Sequence, residues 1–307
     1  MKVLVTGGTG MVGEALRRNK FGHAFVFVGS SNYDLRSSRA CKKMMKHYRP
    51  DAVIHLAARV GGVKANTDYL GDFYRENIQI NTNVLESSRL QGVQKVISLL
   101  STCVYPDKVN YPLTEDQIHN GPPHPSNYGY AYAKRMLDIQ SQAYRSQYGC
   151  NFITAVPNNL FGENDNFDLN SSHAIPAMIR KIYEAKQTNS NVNLWGDGTP
   201  LREFTYSEDI ARALLILLEN YSEPMPINIG SPVEISIKDV AEKIADKIGF
   251  VGDIVWRNEM PSGQPRKPSD NSKFQQLYGM RYTDLDKALT KVCNWFIINY
   301  PNVRGIR

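Results

Sequence analysis

The chain has 307 residues, 42% hydrophobic and 21% charged, enough to bury a full core and, at roughly 150 residues per domain, to form about two lobes. Lys plus Arg number 36 against 30 Asp plus Glu, a net charge of +6. That excess forms no basic stripe or tail, so a nucleic-acid partner is not expected. No run approaches the 18 or so apolar residues of a membrane span, and Lys2-Val3-Leu4-Val5-Thr6-Gly7 meets glycine too early for a secretory segment. Cys41, Cys103, Cys150 and Cys293 have neither metal nor disulfide spacing, which points to a metal-free protein of a reducing, cytoplasmic compartment.

Residues 2–6 form a β-branched run that reads as a strand, followed by a glycine-rich turn and a helix through Arg18. A second strand is expected at 25–29, a helix at 39–48, a third strand at 52–58 and a helix at 72–90. A fourth strand follows at 95–101, a helix at 131–148 and a fifth strand at 151–157. Continuous apolar strands separated by helices predict an α/β fold, a Rossmann-type doubly wound parallel sheet covered on both faces. Residues 1–160 are therefore read as a dinucleotide-binding domain. Beyond it, helices at 175–185, 207–219, 237–248 and 284–299 alternate with short apolar runs at 192–195, 226–229 and 253–256. This reads as a smaller α/β substrate lobe over 161–307, with some segments returning to the first sheet. Pro and Gly cluster at 121–125 and 261–268, and no internal repeat is present.

Thr6-Gly7-Gly8-Thr9-Gly10-Met11-Val12-Gly13 lies between the first strand and its helix. Glycines at 7, 8, 10 and 13 satisfy the dinucleotide fingerprint in either of its two registers. They permit a tight turn, close approach of backbone to a pyrophosphate, and close packing of helix on strand. No carboxylate stands at Ser30 or Ser31, just past the second strand, and Arg36 and Arg39 are near. NADP is therefore expected rather than NAD, with Asp34 and Leu35 toward the adenine.

Tyr130 and Lys134 sit four apart on one helix face, and Ser101 ends the fourth strand, where doubly wound sheets place their ligands. A cation beside the phenol lowers its pKa and fits it for proton transfer, while Ser101 holds a carbonyl oxygen. Together with the glycine motif, this chain resembles the extended short-chain dehydrogenase/reductase superfamily. Within it, the chain is similar to the GDP-L-fucose synthase family. The residues carrying that likeness are His55-Leu56-Ala57-Ala58-Arg59-Val60-Gly61-Gly62-Val63, Ser101-Thr102-Cys103-Val104-Tyr105-Pro106, Pro157-Asn158-Asn159-Leu160-Phe161-Gly162, Ser172-His173-Ala174-Ile175-Pro176 and the run from Trp195 to Phe204.

The resemblance implies 3,5-epimerisation of GDP-4-keto-6-deoxymannose, then NADPH-dependent reduction at C4. Cys103 and His173 would exchange protons at C3 and C5, and Ser101, Tyr130 and Lys134 would hold the C4 oxygen and protonate it. It also implies cofactor contacts from Gly7, Thr9, Gly10, Met11, Val12, Gly13, Leu56, Ala57, Ala58, Leu99, Pro157, Asn158, Leu160 and His173. Ser101, Thr102, Asn159, Lys181, Trp195, Arg202, Arg266 and Lys267 would meet a GDP-sugar, and a homodimer would form through the helices at 72–90 and 131–148. Thr9 departs from the arginine, and Thr102 from the serine, of some relatives. Cys103 also suits a small core residue and His173 a buried structural imidazole. Two other readings stay open at this stage: a redox-neutral nucleotide-sugar epimerase or dehydratase retaining its nicotinamide, and a non-catalytic cofactor-sensing protein.

Overall fold

The computed structural model describes residues 1–19, 22–260 and 264–306; positions 261–263 of the expected Pro/Gly cluster lie outside them. The first half alternates β1 (Lys2–Thr6), α1 (Met11–Arg18), β2 (Ala24–Val28), α2 (Ser38–Tyr48), β3 (Ala52–His55), α3 (Val63–Asp68), α4 (Leu70–Gln91), β4 (Lys95–Leu99), α5 (Tyr128–Tyr148) and β5 (Asn151–Pro157). The second half runs β6 (Asn159–Phe161), α6 (Ala174–Thr188), β7 (Val192–Trp195), β8 (Leu201–Tyr206), α7 (Ser207–Asn220), β9 (Ile227–Ile229), β10 (Glu234–Ser236), α8 (Ile237–Ile248), β11 (Ile254–Arg257), α9 (Ser272–Tyr278) and α10 (Leu285–Asn299).

The main sheet has six strands in the order β2-β1-β3-β4-β5-β9, every pair parallel. Alternate residues of each strand point to opposite faces. Val3 and Val5 pack with α1 and α7, whereas Leu4, Val53 and Val96 pack with α2, α4 and α5. Both faces are thus covered, which is why the strands read as unbroken apolar runs. Two of them end earlier than expected, β3 at His55 and β4 at Leu99. In each case the residues beyond form the walls of a cleft. The segment carrying α7 and β9 returns to this sheet from the second half, as does Phe274 of α9.

A separate core lies between α6, α8, α10 and two small sheets, β10-β8-β6 and β11-β7. Among the described residues, no helix is long and apolar enough to cross a membrane and no group of His, Cys, Asp and Glu could hold a metal. All four cysteines are free.

Candidate active site

The chain steps from β1 outward to β2 and then to β3 on the other side of β1, so a crevice opens beyond the carboxyl ends of β1 and β3. The glycine loop lies there. Gly7 has φ +70°, and a Cβ on it would stand 2.8 Å from the Ala57 nitrogen across the crevice. A Cβ on Gly13 would meet Gly8 backbone at 2.6 Å, so α1 can pack this closely only without side chains. Gly10 caps α1 with no side-chain bond, leaving the first-turn N–H groups aimed at the cleft. These features fit a dinucleotide pyrophosphate. The cleft itself measures about 1620 Å³ and runs from this loop into the second lobe. Of the residues expected to meet the cofactor or the sugar nucleotide, all but Arg266 line it. Arg266 is exposed and pairs with Glu234 instead.

The adenine end differs from expectation in one respect. The Arg36 guanidinium forks onto Asp34 at 2.9 and 3.0 Å and leans toward Glu76. Arg39 does not line the cleft. The preference for NADP therefore cannot rest on these arginines as free cations; it rests on the lack of a carboxylate at Ser30 and on the comparisons below.

At the centre, Tyr130 and Lys134 project from α5 beneath the end of β4. The Lys134 ammonium donates to the Leu99 carbonyl at 2.7 Å and lies 5.9 Å from the Tyr130 ring centroid. Burial lowers its pKa to about 8. The phenol moves the other way: burial, and secondarily Cys103, raise it above its usual value of 10.0. The expected lowering by Lys134 is absent, and burial dominates. Tyr130 is accordingly held protonated, as a donor must be.

A buried chain fixes these elements to one another. Thr6 Oγ1 donates to His55 Nδ1 at 2.7 Å, His55 Nε2 donates to Asn81 Oδ1 at 3.1 Å, and Asn81 donates onward to the Ala133 carbonyl at 2.9 Å. The last bond fixes the amide orientation, so the tautomer follows from it. Burial, aided by the Lys134 charge, lowers His55 to about 3 and keeps it neutral.

Ser101 Oγ accepts the Cys103 N–H at 3.3 Å, which folds the strand end into a single 3-10 turn. Cys103 Sγ accepts from Asn127 Nδ2 at 3.1 Å and packs against Tyr130. His173 caps α6 on the opposite side, its ring open to the cleft yet ringed by protein, and desolvation lowers its basicity. In the second lobe, the Arg202 side chain donates to its neighbouring Leu201 carbonyl, its one hydrogen bond among the described residues. It lies close enough to Lys267 to depress the lysine's pKa further, after burial. Lys181 Nζ donates to the Asn193 carbonyl at 3.3 Å and lies 5.6 Å from the Trp195 ring centroid. None of these three cations pairs with a carboxylate within 4.0 Å among the described residues. Converging cations without counter-charge suit a polyanion.

Among the lining residues that escaped the sequence are Asn127, Asp165 and Arg304. Asn127 lies three before Tyr130, one turn away, which is a signal of a kind. Arg304 is nearly 300 residues from the loop it faces, and nothing local marks it.

Fold and site define a dinucleotide-dependent enzyme of the Rossmann class with a Ser, Tyr and Lys centre. The profile described as the NAD dependent epimerase/dehydratase family matches residues 3–230. The chain is 43% identical to the GDP-L-fucose synthase of Dictyostelium discoideum, over 98% of this chain and 97% of that one. Identity to the Escherichia coli (strain K12) GDP-L-fucose synthase is 34%, over 99% of both chains. A crystal structure of a GDP-L-fucose synthetase from Naegleria fowleri bound to NADP superposes with a TM-score of 0.94 at 41% identity, covering 99% of this chain and 94% of that one. The chain belongs to the NAD dependent epimerase/dehydratase family and, within it, to the GDP-L-fucose synthases.

Proposed function

We propose that the protein makes GDP-L-fucose from GDP-4-keto-6-deoxymannose with NADPH. The observation that carries this reading is one cleft holding both the glycine loop and Ser101, Cys103, Tyr130, Lys134 and His173, with Arg202, Lys181 and Lys267 at its far end. NADP(H) is the cofactor, and when bound it supplies hydride to C4. The chain's own residues do the rest. The ketone at C4 acidifies the protons at C3 and C5, and inverting a centre needs a base on one face and an acid on the other. Cys103, on the β4 side, and His173, on the α6 side, are assigned that pair. Tyr130 and Ser101 hold the C4 oxygen while it carries enolate charge, and the same phenol protonates it on reduction, so one oxyanion site serves both steps. Lys134 keeps positive charge beneath them. Arg202, Lys267 and Lys181 clamp the sugar nucleotide's pyrophosphate, with Trp195 beside the nucleoside.

Residues 1–160 with the returning α7, β9 and α9 form the cofactor lobe, and the remainder the substrate lobe. A homodimer through α4 and α5 is supported by exposed Tyr74 on α4 and by Tyr128, Tyr132 and Ile139 along α5. A reducing, cytoplasmic compartment suits four free cysteines, one of them in the cleft.

The test is to supply the 4-keto GDP-sugar with NADPH and follow both nicotinamide absorbance and product. Loss of absorbance with GDP-L-fucose formed is expected. An altered sugar with no loss of absorbance would establish the redox-neutral reading instead.

A further inference from the structure

The segment after α10 is pinned to the second lobe at three points. Val303 is buried in that lobe's core, the Arg304 carbonyl accepts the Phe167 N–H at 2.9 Å, and the Gly305 carbonyl accepts Arg180 Nη1 at 3.3 Å. Gly305 has φ +89°, and a Cβ there would meet the Asp168 nitrogen at 2.4 Å, so no other residue fits this path. With its backbone held in one lobe, the Arg304 side chain reaches toward the other. Its Nη1 lies 3.9 Å from where a Gly10 Cβ would stand, at the first turn of α1. The guanidinium is exposed in the cleft and forms no ion pair within 4.0 Å among the described residues.

A second observation marks the same place. Asp165 is 7% exposed, lines the cleft, and has one carboxylate oxygen, Oδ2, without a hydrogen-bond partner among the described residues. Its other oxygen accepts the Asn166 N–H at 2.7 Å. Arg304 is near enough for its charge to act on this carboxyl without bonding it. A guanidinium drawn to this spot but left unpaired keeps its fork of donors for another anion, and the α1 N-terminus facing it favours an anion too.

We propose that Arg304, delivered by the C-terminal segment of the substrate lobe, clamps the cofactor's pyrophosphate against the α1 N-terminus. The inference rests on the reading of this cleft as the NADP(H) site. It makes the last turn of the chain part of the cofactor site and ties the two lobes together across the dinucleotide. The location at Gly10, rather than at Ser30 beyond β2, assigns the contact to the pyrophosphate that NADPH and NADH share.

Dissociation constants for NADPH and for NADH are to be measured on the full-length wild type, Arg304→Gln and Arg304→Lys by fluorescence titration at two salt concentrations. Arg304→Gln should weaken both cofactors by the same factor, roughly tenfold, as for the loss of one charge-assisted contact. Arg304→Lys should recover part of that loss, and the salt dependence should flatten in Arg304→Gln. Cofactor-free thermal stability should stay close to wild type, since the side chain forms no hydrogen bond or ion pair with the described residues. Wild-type affinity in Arg304→Gln overturns the inference. Weakening of NADPH alone overturns the pyrophosphate assignment. A wild type that binds neither cofactor would instead sink the reading of the site on which it rests.

Discussion

Lys134 should cost this protein stability, and removing its charge should return some. Its folded-state pKa is about 8 against an ordinary 10.5, and the cause is burial. That difference corresponds to roughly 3 kcal/mol of destabilisation at pH 7. Lys134→Met keeps the aliphatic stem and loses the bond to the Leu99 carbonyl, which costs about 1 kcal/mol. A net gain of about 2 kcal/mol follows, with catalytic turnover lost. The sign of the pH dependence is specific. Because the folded value is the lower one, the penalty is fully present below about pH 8, shrinks as pH rises and is gone above 10.5. Urea unfolding of both proteins at pH 7 and pH 10 reads this directly. Lys95, also lowered to about 8, contributes equally to both and cancels. A variant less stable than wild type at pH 7, or an advantage that does not shrink at pH 10, would refute the reasoning. Under the proposed function, the charge is kept at an energetic cost because the chemistry uses it.

Cys103→Ser should leave NADPH affinity unchanged while stopping deuterium wash-in at C3 and C5 of the sugar, read by mass spectrometry; wash-in at the wild-type rate would remove Cys103 from the role of base. Asn127→Ala should slow the same exchange about tenfold with no change in cofactor affinity, because it removes the donor to the sulfur. Gly13→Ala should cost about 1–3 kcal/mol by overpacking and abolish cofactor quenching, since its Cβ would fall 2.6 Å from Gly8 backbone. Burial raises the Asp165 carboxyl to about 7, so its penalty is full above pH 7 and vanishes as pH falls below 3.8. Asp165→Asn should therefore raise thermal stability at pH 8, by on the order of 4 kcal/mol, and give no advantage near pH 3.5.

Much of this molecule was legible in one dimension because its signals are local. The glycine loop is read from eight consecutive residues, since strand, turn and helix must follow one another for a pyrophosphate to meet backbone. Tyr130 and Lys134 are four apart because a helix turns that way, and strands buried on both faces announce themselves as unbroken apolar runs. What misled the reading was competition between neighbours. Arg36 looks like a free cation in sequence, but Asp34 two residues away takes its fork. Lys134 looks like the group that lowers the phenol, but its ammonium donates to the Leu99 carbonyl and burial governs the tyrosine. Arg266 and Lys267 are adjacent, yet only the lysine turns inward. The strands β6 and β10 and the helices α3 and α9 are too short to stand out, and β8, though six residues long, breaks its apolar pattern with Arg202, Glu203 and Thr205. The sequence by itself thus determined the fold class, the glycine loop and the chemical types at the centre, all of which depend on near neighbours. Only the tertiary structure decided which charges are spent and which are left for a ligand, and that a C-terminal arginine faces an N-terminal glycine, because electrostatic partners are chosen by distance in space.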